Sequence, residues 1–238
     1  MRFSIQYKDF NKDDQTLKVI KQNLNGIVKL SKERIFTELN KILNLENVVD
    51  GFSNKELSEI FKVIFPEFRH FDRLKGVSHK LYKQFVKSER NLLLALLLVD
   101  NSDNHIYFSH KYKVSNQLRE QLIFCHTNFY LAKKNRNFFG KDLTKNIFYH
   151  RKEKMKYLVK FYFISQSKKN YINLTNILKA IDSINIPEFP ITGNYLLEKG
   201  FKSGKKVGEV LKKIEQEWIK NNFNLNEEEL KNLIKKYN

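Results

Sequence analysis

Eight consecutive apolar residues, Leu92 to Val99, constrain this 238-residue chain more than any other feature. A helix of that composition is apolar all round, so protein must surround it on every side. It falls far short of the roughly 20 residues that span a bilayer. A buried strand of that length is the alternative, but six leucines in eight positions favour a helix at the centre of the fold. The chain has the means to cover it. At 41% hydrophobic and 13% aromatic residues it can bury a real core as one or two domains, and wholesale disorder is not expected despite its charge.

Around that segment the apolar residues recur at helical spacing. Ser31 opens a stretch in which Ile35, Leu39, Ile42 and Leu43 form one stripe. Ser53-Asn54-Lys55-Glu56 has capping-box form; Leu57, Ile60, Phe61 and Ile64 follow on one face, and Phe65-Pro66 ends the run. Asp13-Asp14 reads as a helix start. Ser115-Asn116 opens a helix bearing Leu118, Leu122, Ile123 and Phe129, and Ser203 precedes Val207, Val210, Leu211, Ile214 and Trp218. A last helix begins at Asn226-Glu227-Glu228-Glu229 and closes on Lys235-Lys236, acids at its positive end and bases at its negative end. Tyr157 to Ile164 is ambiguous between strand and helix. With three prolines and eight glycines in the whole chain, the expected fold class is all-α. Asp100 to His105 reads as a polar loop, and Ile184 to Asn194, with two prolines and a glycine, as the linker before a C-terminal tail. There is no internal repeat of solenoid period.

A formal charge of +18 points to a polyanionic partner, because each Lys or Arg docked on a phosphate releases condensed counterions. Composition alone exaggerates this. Of 44 basic residues 36 are Lys, with 26 Asn and only three Ala, the usage of an AT-rich genome. Distribution is the better witness: residues 1–100 are net +5, residues 101–170 net +11, residues 171–195 net −1 and residues 196–238 net +3. Codon bias acts everywhere, so the concentration in 101–170 needs another cause. That stretch also holds 14 aromatics, among them Tyr107, Phe108, Tyr112, Phe129, Tyr130, Phe138, Phe139, Tyr149 and Tyr162. These can stack on unpaired bases or fill a core.

Motifs for chemistry are lacking. Gly200-Phe201-Lys202-Ser203-Gly204-Lys205-Lys206 has three residues between its glycines where a P-loop has four, and Lys206 stands where Ser or Thr would hold magnesium. A helix start with these lysines can still hold an RNA phosphate, or be a turn with solvated side chains. Asp100 to His105 lacks the glycine and distal Glu of a calcium loop. The histidines at 70, 79, 105, 110, 126 and 150 show no H-E-x-x-H spacing, and the single Cys125 excludes a disulfide framework and a multi-cysteine zinc site. No D-x-D pair stands on a candidate strand. No catalytic residue and no metal ligand is assigned. The first eight residues lack the apolar stretch of a signal peptide, so no membrane partner and a cytoplasmic location are expected.

Three segments together resemble one family. Leu30-Ser31-Lys32-Glu33-Arg34-Ile35, with Glu38-Leu39 and Lys41-Ile42-Leu43, is similar to L-S-x-E-R-I-x-x-E-L-x-K-I-L, a motif in the helical neck of class II tRNA nucleotidyltransferases, the CCA-adding enzymes, and of the related bacterial poly(A) polymerases. Arg2-Phe3 resembles the end of the preceding neck motif, E-D-x-x-R-x-x-R-x-x-R-F. Phe189-Pro190-Ile191-Thr192-Gly193, with Leu196-Leu197, Gly200, Gly204, Gly208, Leu211 and Trp218, resembles the C-terminal signature P-x-x-G-x-x-L-x-x-x-G-x-x-x-G-x-x-x-G-x-x-L. Phe65-Pro66-Glu67 and Lys113-Val114-Ser115-Asn116 fit the body between them. One departure is Gly204-Lys205, where the family often has Gly-Pro.

The resemblance implies residues 1–64 as the remainder of the neck, residues 65–188 as a basic helical body and residues 189–238 as the tail, without the N-terminal catalytic sheet domain. In the family that head carries the carboxylate pair and the two metal ions that perform nucleotidyl transfer. Mg2+ and ATP or CTP would belong to it, and this chain is expected to bind no cofactor and to be inactive alone. Its expected partners are tRNA or another RNA and a separately encoded head. Two other readings stand beside this one: an inactive fragment of a split or decaying gene, and a helical interaction protein with an acidic partner. Arg2, Ser31, Glu33, Arg34 and Glu38 match the neck motif and are expected to be structural. RNA contact is expected at Lys133, Lys134 and Arg136 from charge clustering, and at Lys202, Lys205 and Lys206 from the tail signature.

Overall fold

A computed structural model of the protein describes residues 1–8, 14–87, 89–168 and 170–237. Among these residues there is no strand, and Tyr157 to Ile164 is helical. The helices run in chain order as α1 (Arg2–Gln6), α2 (Asp14–Val28), α3 (Lys32–Leu43), α4 (Val48–Ser53) and α5 (Lys55–Ile64). A 3-10 turn (Phe71–Leu74) and α6 (His79–Leu81), prolonged by a π turn (Tyr82–Val86), lead to α7 (Arg90–Leu98), α8 (Asn104–Lys111) and α9 (Asn116–Lys134). Then come α10 (Leu143–His150), α11 (Lys152–Ser165), α12 (Tyr171–Ser183), α13 (Gly193–Glu198), α14 (Lys205–Lys220) and α15 (Glu227–Tyr237).

The apolar run is the axis of the molecule. Every side chain from Leu92 to Val99 is at most 1% exposed. α7 packs against α8, α9, α11 and the 3-10 turn, and one cluster of buried side chains runs from Ile5 through Ile181. A helix end buried this deeply leaves carbonyls that water cannot reach, so protein donors must take them. They do: the Arg69 N–H donates to Leu97 O at 3.0 Å, the Asn104 amide to Leu98 O at 3.0 Å, and the Arg73 guanidinium to Leu96 O and Val99 O.

Several helix limits shift from their sequence expectation, each for a local reason. Ser53 still belongs to α4, and the cap of α5 is Asn54, extended at φ −68° and ψ 129°, whose side chain accepts from Leu57 N–H at 3.0 Å. Ser203 is also one position early: α14 starts after Gly204, whose φ of 137° suits glycine. The polar loop closes at Asp103, because Asn104 and His105 are buried in α8, Asn104 donating to the Glu67 carbonyl at 2.6 Å. Of Asp13-Asp14, Asp13 lies outside the described residues and Asp14 begins α2. The starts at Ser31, Ser115 and Asn226 agree. Ser31 and Ser115 cap α3 and α9. Asn226 and Glu229 form a reciprocal capping box, Glu229 N–H to Asn226 Oδ1 at 2.8 Å and Asn226 N–H to Glu229 at 2.9 Å. Phe65, held before Pro66 at φ −123° and ψ 76°, ends α5.

The C-terminal helices build a second, smaller cluster from Leu196, Phe201, Val207, Val210, Ile214 and Ile234. It is joined to the body through an aromatic contact: Trp218 of α14 lies 5.9 Å from Phe148 of α10, at 74° between planes, while Phe189, packed on the same cluster, lies 5.3 Å from Trp218.

Candidate nucleic-acid interface

Lys133 and Lys134 stand in the last turn of α9, where cations complement the carbonyl end of a helix, and both are exposed. Lys133 Nζ sits 4.3 Å from the centroid of the Phe129 ring. The chain then folds into a tight corner. Asn135 accepts from Asn137 N–H at 2.9 Å and donates to Asp142 at 2.7 Å, and the buried Phe138 pins the turn while its carbonyl accepts from Asn146 at 2.8 Å. Arg136 is exposed on that corner. Three of the six expected RNA contacts therefore share one rigid, solvent-facing element.

The same corner brings up two lysines that sequence reasoning passed over. Lys141 and Lys145, with Asp142 and Thr144, line a cleft of about 380 Å³ whose other walls are Asn185 and Pro187 of the connector and Ile219, Lys220, Asn222 and Phe223 at the end of α14. The Glu217 carboxylate, 2.7 Å from Lys220 Nζ, hydrogen-bonds the ammonium and raises its pKa above the ordinary lysine value. The available sequence signal was the i, i+4 spacing of Lys141 and Lys145 inside the most basic stretch. Lys220, 75 residues on from Lys145, was reachable only through the fold.

Lys202, Lys205 and Lys206 are exposed at the other end of α14. Gly204 gives that helix no side-chain cap, and the Val207 N–H donates to the Gly204 carbonyl at 3.2 Å. At 1.5 Å per residue, the 16 residues of α14 separate Lys205 from Lys220 by roughly 22 Å. The two basic groups are thus strung along one helix and do not form a single pocket.

The neck-motif residues make local structure. Ser31 accepts from Arg34 N–H at 3.3 Å. Glu33 pairs with Lys113 at 3.1 Å, and its own backbone amide and Lys113 hold its carboxyl below the ordinary value. Arg2 reaches Glu38 at 3.7 Å, tying α1 to α3. The exposed Arg34 lines, with Leu30, Ile64 and Phe61, a mainly apolar groove of about 660 Å³.

Most of the aromatic side chains in 101–170 serve the core. Phe108, Tyr112, Phe129 and Phe138 are buried and Tyr130, Phe139 and Tyr162 half-buried, leaving Tyr107 and Tyr149 as the exposed rings of the nine. Burial pushes the Cys125 thiol well above its ordinary pKa, the opposite of a nucleophile's environment. Among the described residues no group of three or more His, Cys, Asp or Glu could hold a metal ion, and no helix is long and apolar enough to cross a membrane.

Comparison with known proteins shows the family. Residues 84–234 match the family model described as "tRNA nucleotidyltransferase domain 2 putative", and residues 9–71 match "Probable RNA and SrmB- binding site of polymerase A". Among curated proteins the chain is 26% identical over 239 residues to the mitochondrial CCA tRNA nucleotidyltransferase 1 of Mus musculus, covering 94% of this chain and 50% of that protein. It is 24% identical to the Homo sapiens protein of the same name, over 94% of this chain and 50% of that one. To the CCA-adding enzyme of Streptococcus uberis it is 24% identical, over 87% and 51%. The chain spans about half the length of the curated relatives it matches. It belongs to the class II tRNA nucleotidyltransferase family and corresponds to that family's C-terminal, RNA-binding portion.

Proposed function

We propose that this chain grips tRNA along the basic faces of its body and tail and so positions the RNA 3′ end for a catalytic head acting with it. The observation that carries the reading is the cleft where Lys141 and Lys145 meet Lys220. Phosphate oxygens accept only, and the Lys141 and Lys145 ammonium groups, with the Thr144 hydroxyl in the same lining, suit a backbone phosphate; Lys220 opposite them is paired with Glu217, and Asp142 accepts from Asn135. Lys133, Lys134 and Arg136 extend the same corner, and Lys202, Lys205 and Lys206 offer a second hold about one α14 length away. Base-independent contacts of this kind fix register and orientation on an RNA helix without reading its sequence. Mg2+ and the incoming ATP or CTP belong with the head.

Fluorescence anisotropy with a tRNA lacking its 3′ end, over a range of salt, tests the grip. Log affinity should fall linearly with log salt, with a slope set by the number of phosphates engaged. A flat response, or no binding at low salt, would count against RNA and for an acidic protein partner. Mixing the chain with a separately purified head, ATP, CTP and magnesium should restore nucleotide addition to that tRNA.

A further inference from the structure

The cleft at the join of body and tail offers more than cations. Its volume of about 380 Å³ is that of a small-ligand site. Besides the lysines and Thr144 it is lined by Asn185 and Pro187 from the connector and by Asn222 and Phe223 after α14. A phosphate gains nothing from an aromatic ring or a proline face, so this part of the lining fits a different group.

All four side chains are open to solvent. Asn185, Pro187 and Asn222 are exposed, and Phe223 is half-buried. Neither asparagine side chain makes a hydrogen bond among the described residues, so each amide offers N–H donors beside a carbonyl acceptor. Base edges carry the complementary pair. The Phe223 ring is braced by Trp218 at 5.0 Å and Phe148 at 5.7 Å. Its backbone stands at φ 62°, a region that Asn222 tolerates at φ 54° but a bulky residue seldom enters. Strain of that kind persists where the surrounding structure enforces it, and binding sites are where it gathers. On the cationic side, Lys141 and Lys145 stand in no ion pair among the described residues, and Asp142 already accepts from Asn135. An anion joined to a flat apolar ring with a polar edge satisfies all of these groups together, and a nucleotide is such a ligand.

We propose that this cleft receives one unpaired nucleotide of the bound RNA, its phosphate on Lys141 and Lys145, its base against Phe223 and Pro187, and its base edge on the amides of Asn185 and Asn222. The inference rests on the RNA reading above and adds to it a preference for unpaired over paired strands, because a base within a duplex has its edge paired and its faces stacked.

The test compares the full chain, Asn222→Gly and Asn185→Ala for binding of a short single-stranded RNA and of the same sequence as a blunt duplex. Asn222→Gly removes the amide and keeps the positive φ without steric cost. Both positions are exposed, so the melting temperatures should match that of wild type. Wild type should bind the single strand more tightly than the duplex. Each variant should weaken the single strand about three- to tenfold and leave duplex affinity unchanged. The salt slope should also hold, since no cation is removed. Single-strand affinity equal to wild type in both variants overturns the proposal and leaves the cleft a phosphate site, with the RNA reading intact. Equal weakening of both RNAs overturns it too. If the variants weaken a free nucleoside monophosphate but leave RNA untouched, the cleft serves a free nucleotide and the proposal fails. If wild type binds neither RNA in a salt-dependent way, the RNA reading itself falls, and the proposal with it.

Discussion

The guanidinium of Arg73 donates to the carbonyl of Val99 at 2.7 Å and to that of Leu96 at 3.1 Å, serving the C-terminal end of the all-apolar helix from inside the protein. It also stands over the Phe129 and Phe161 rings, at 5.9 and 5.8 Å. A helix that solvent cannot reach is viable only with such donors, so this polar side chain is a condition of the apolar core.

Arg73→Met keeps most of the stem's packing and leaves two buried carbonyls without their donor. At about 1–3 kcal/mol for each of the two unsatisfied groups, the variant should lose roughly 2–6 kcal/mol in a urea titration. Arg73→Lys should recover only part of this, since one ammonium on a flexible stem does not reproduce the fork. A Met variant within about 0.5 kcal/mol of wild type would refute the role.

The ring contact of Trp218 with Phe148 of α10 ties the tail to the body, and its contacts with Phe189 and Phe223 pack the tail itself. Trp218 is 2% exposed, and its replacement by Ala should cost about 3–5 kcal/mol of tail packing. Because α14 carries Lys220 into the cleft, Trp218→Ala should also weaken tRNA binding and lower the salt slope, while hydrogen exchange in α7 stays protected. Loss of protection in α7 and α14 together would mean that body and tail unfold as one unit.

Lys141→Ala and Lys145→Ala should each reduce the slope of log affinity against log salt by about 0.7–0.9, with stability changed by less than about 0.5 kcal/mol. The control is Lys156→Ala, because Lys156 already pairs with Asp182 at 2.6 Å and Glu153 at 3.4 Å. An unchanged slope in both cleft variants would remove that cleft from the RNA path.

The helices were legible in the sequence wherever an apolar stripe and a cap coincided, as at Ser31, Ser115 and Asn226. Caps failed where two candidates were adjacent, because backbone geometry selects between them: Asn54 is extended and Ser53 is still helical. Asn104 misled for a different reason. Its polarity reads as a loop, yet its amide is spent on the Glu67 and Leu98 carbonyls and so it can be buried. For the candidate interface, local charge density found Lys133 to Arg136, whereas the cleft joins residues 141–145 to residue 220. Among the aromatics, only packing separated exposed Tyr107 from buried Phe108, its neighbour in sequence.

Acid should destabilise the protein from just below neutrality, because three histidines are held neutral by the fold. His105, 2% exposed and stacked on His126 at 4.5 Å between ring centroids, has its pKa lowered by burial and then by its neighbour's charge. His70 is lowered by burial and by Arg73 despite Asp100 at 3.6 Å, and His150 by burial and Lys154. A group whose folded pKa lies below its unfolded value binds more protons unfolded, so stability rises with pH across the interval between the two. The contribution is complete above the ordinary value of 6.5 and is lost as pH falls from there toward the depressed folded values. Asp100 acts in a different window. Burial alone would raise its pKa, but hydrogen bonds from the Ser102 hydroxyl and amide outweigh this and lower it, so its share is lost only as pH drops below about 3.8. Melting temperature should therefore decline between pH 7 and pH 5 (roughly the range histidine titration covers), and His105→Gln should flatten that decline without altering the one below pH 4. An unchanged slope in His105→Gln would show that the stacked pair takes no part in it.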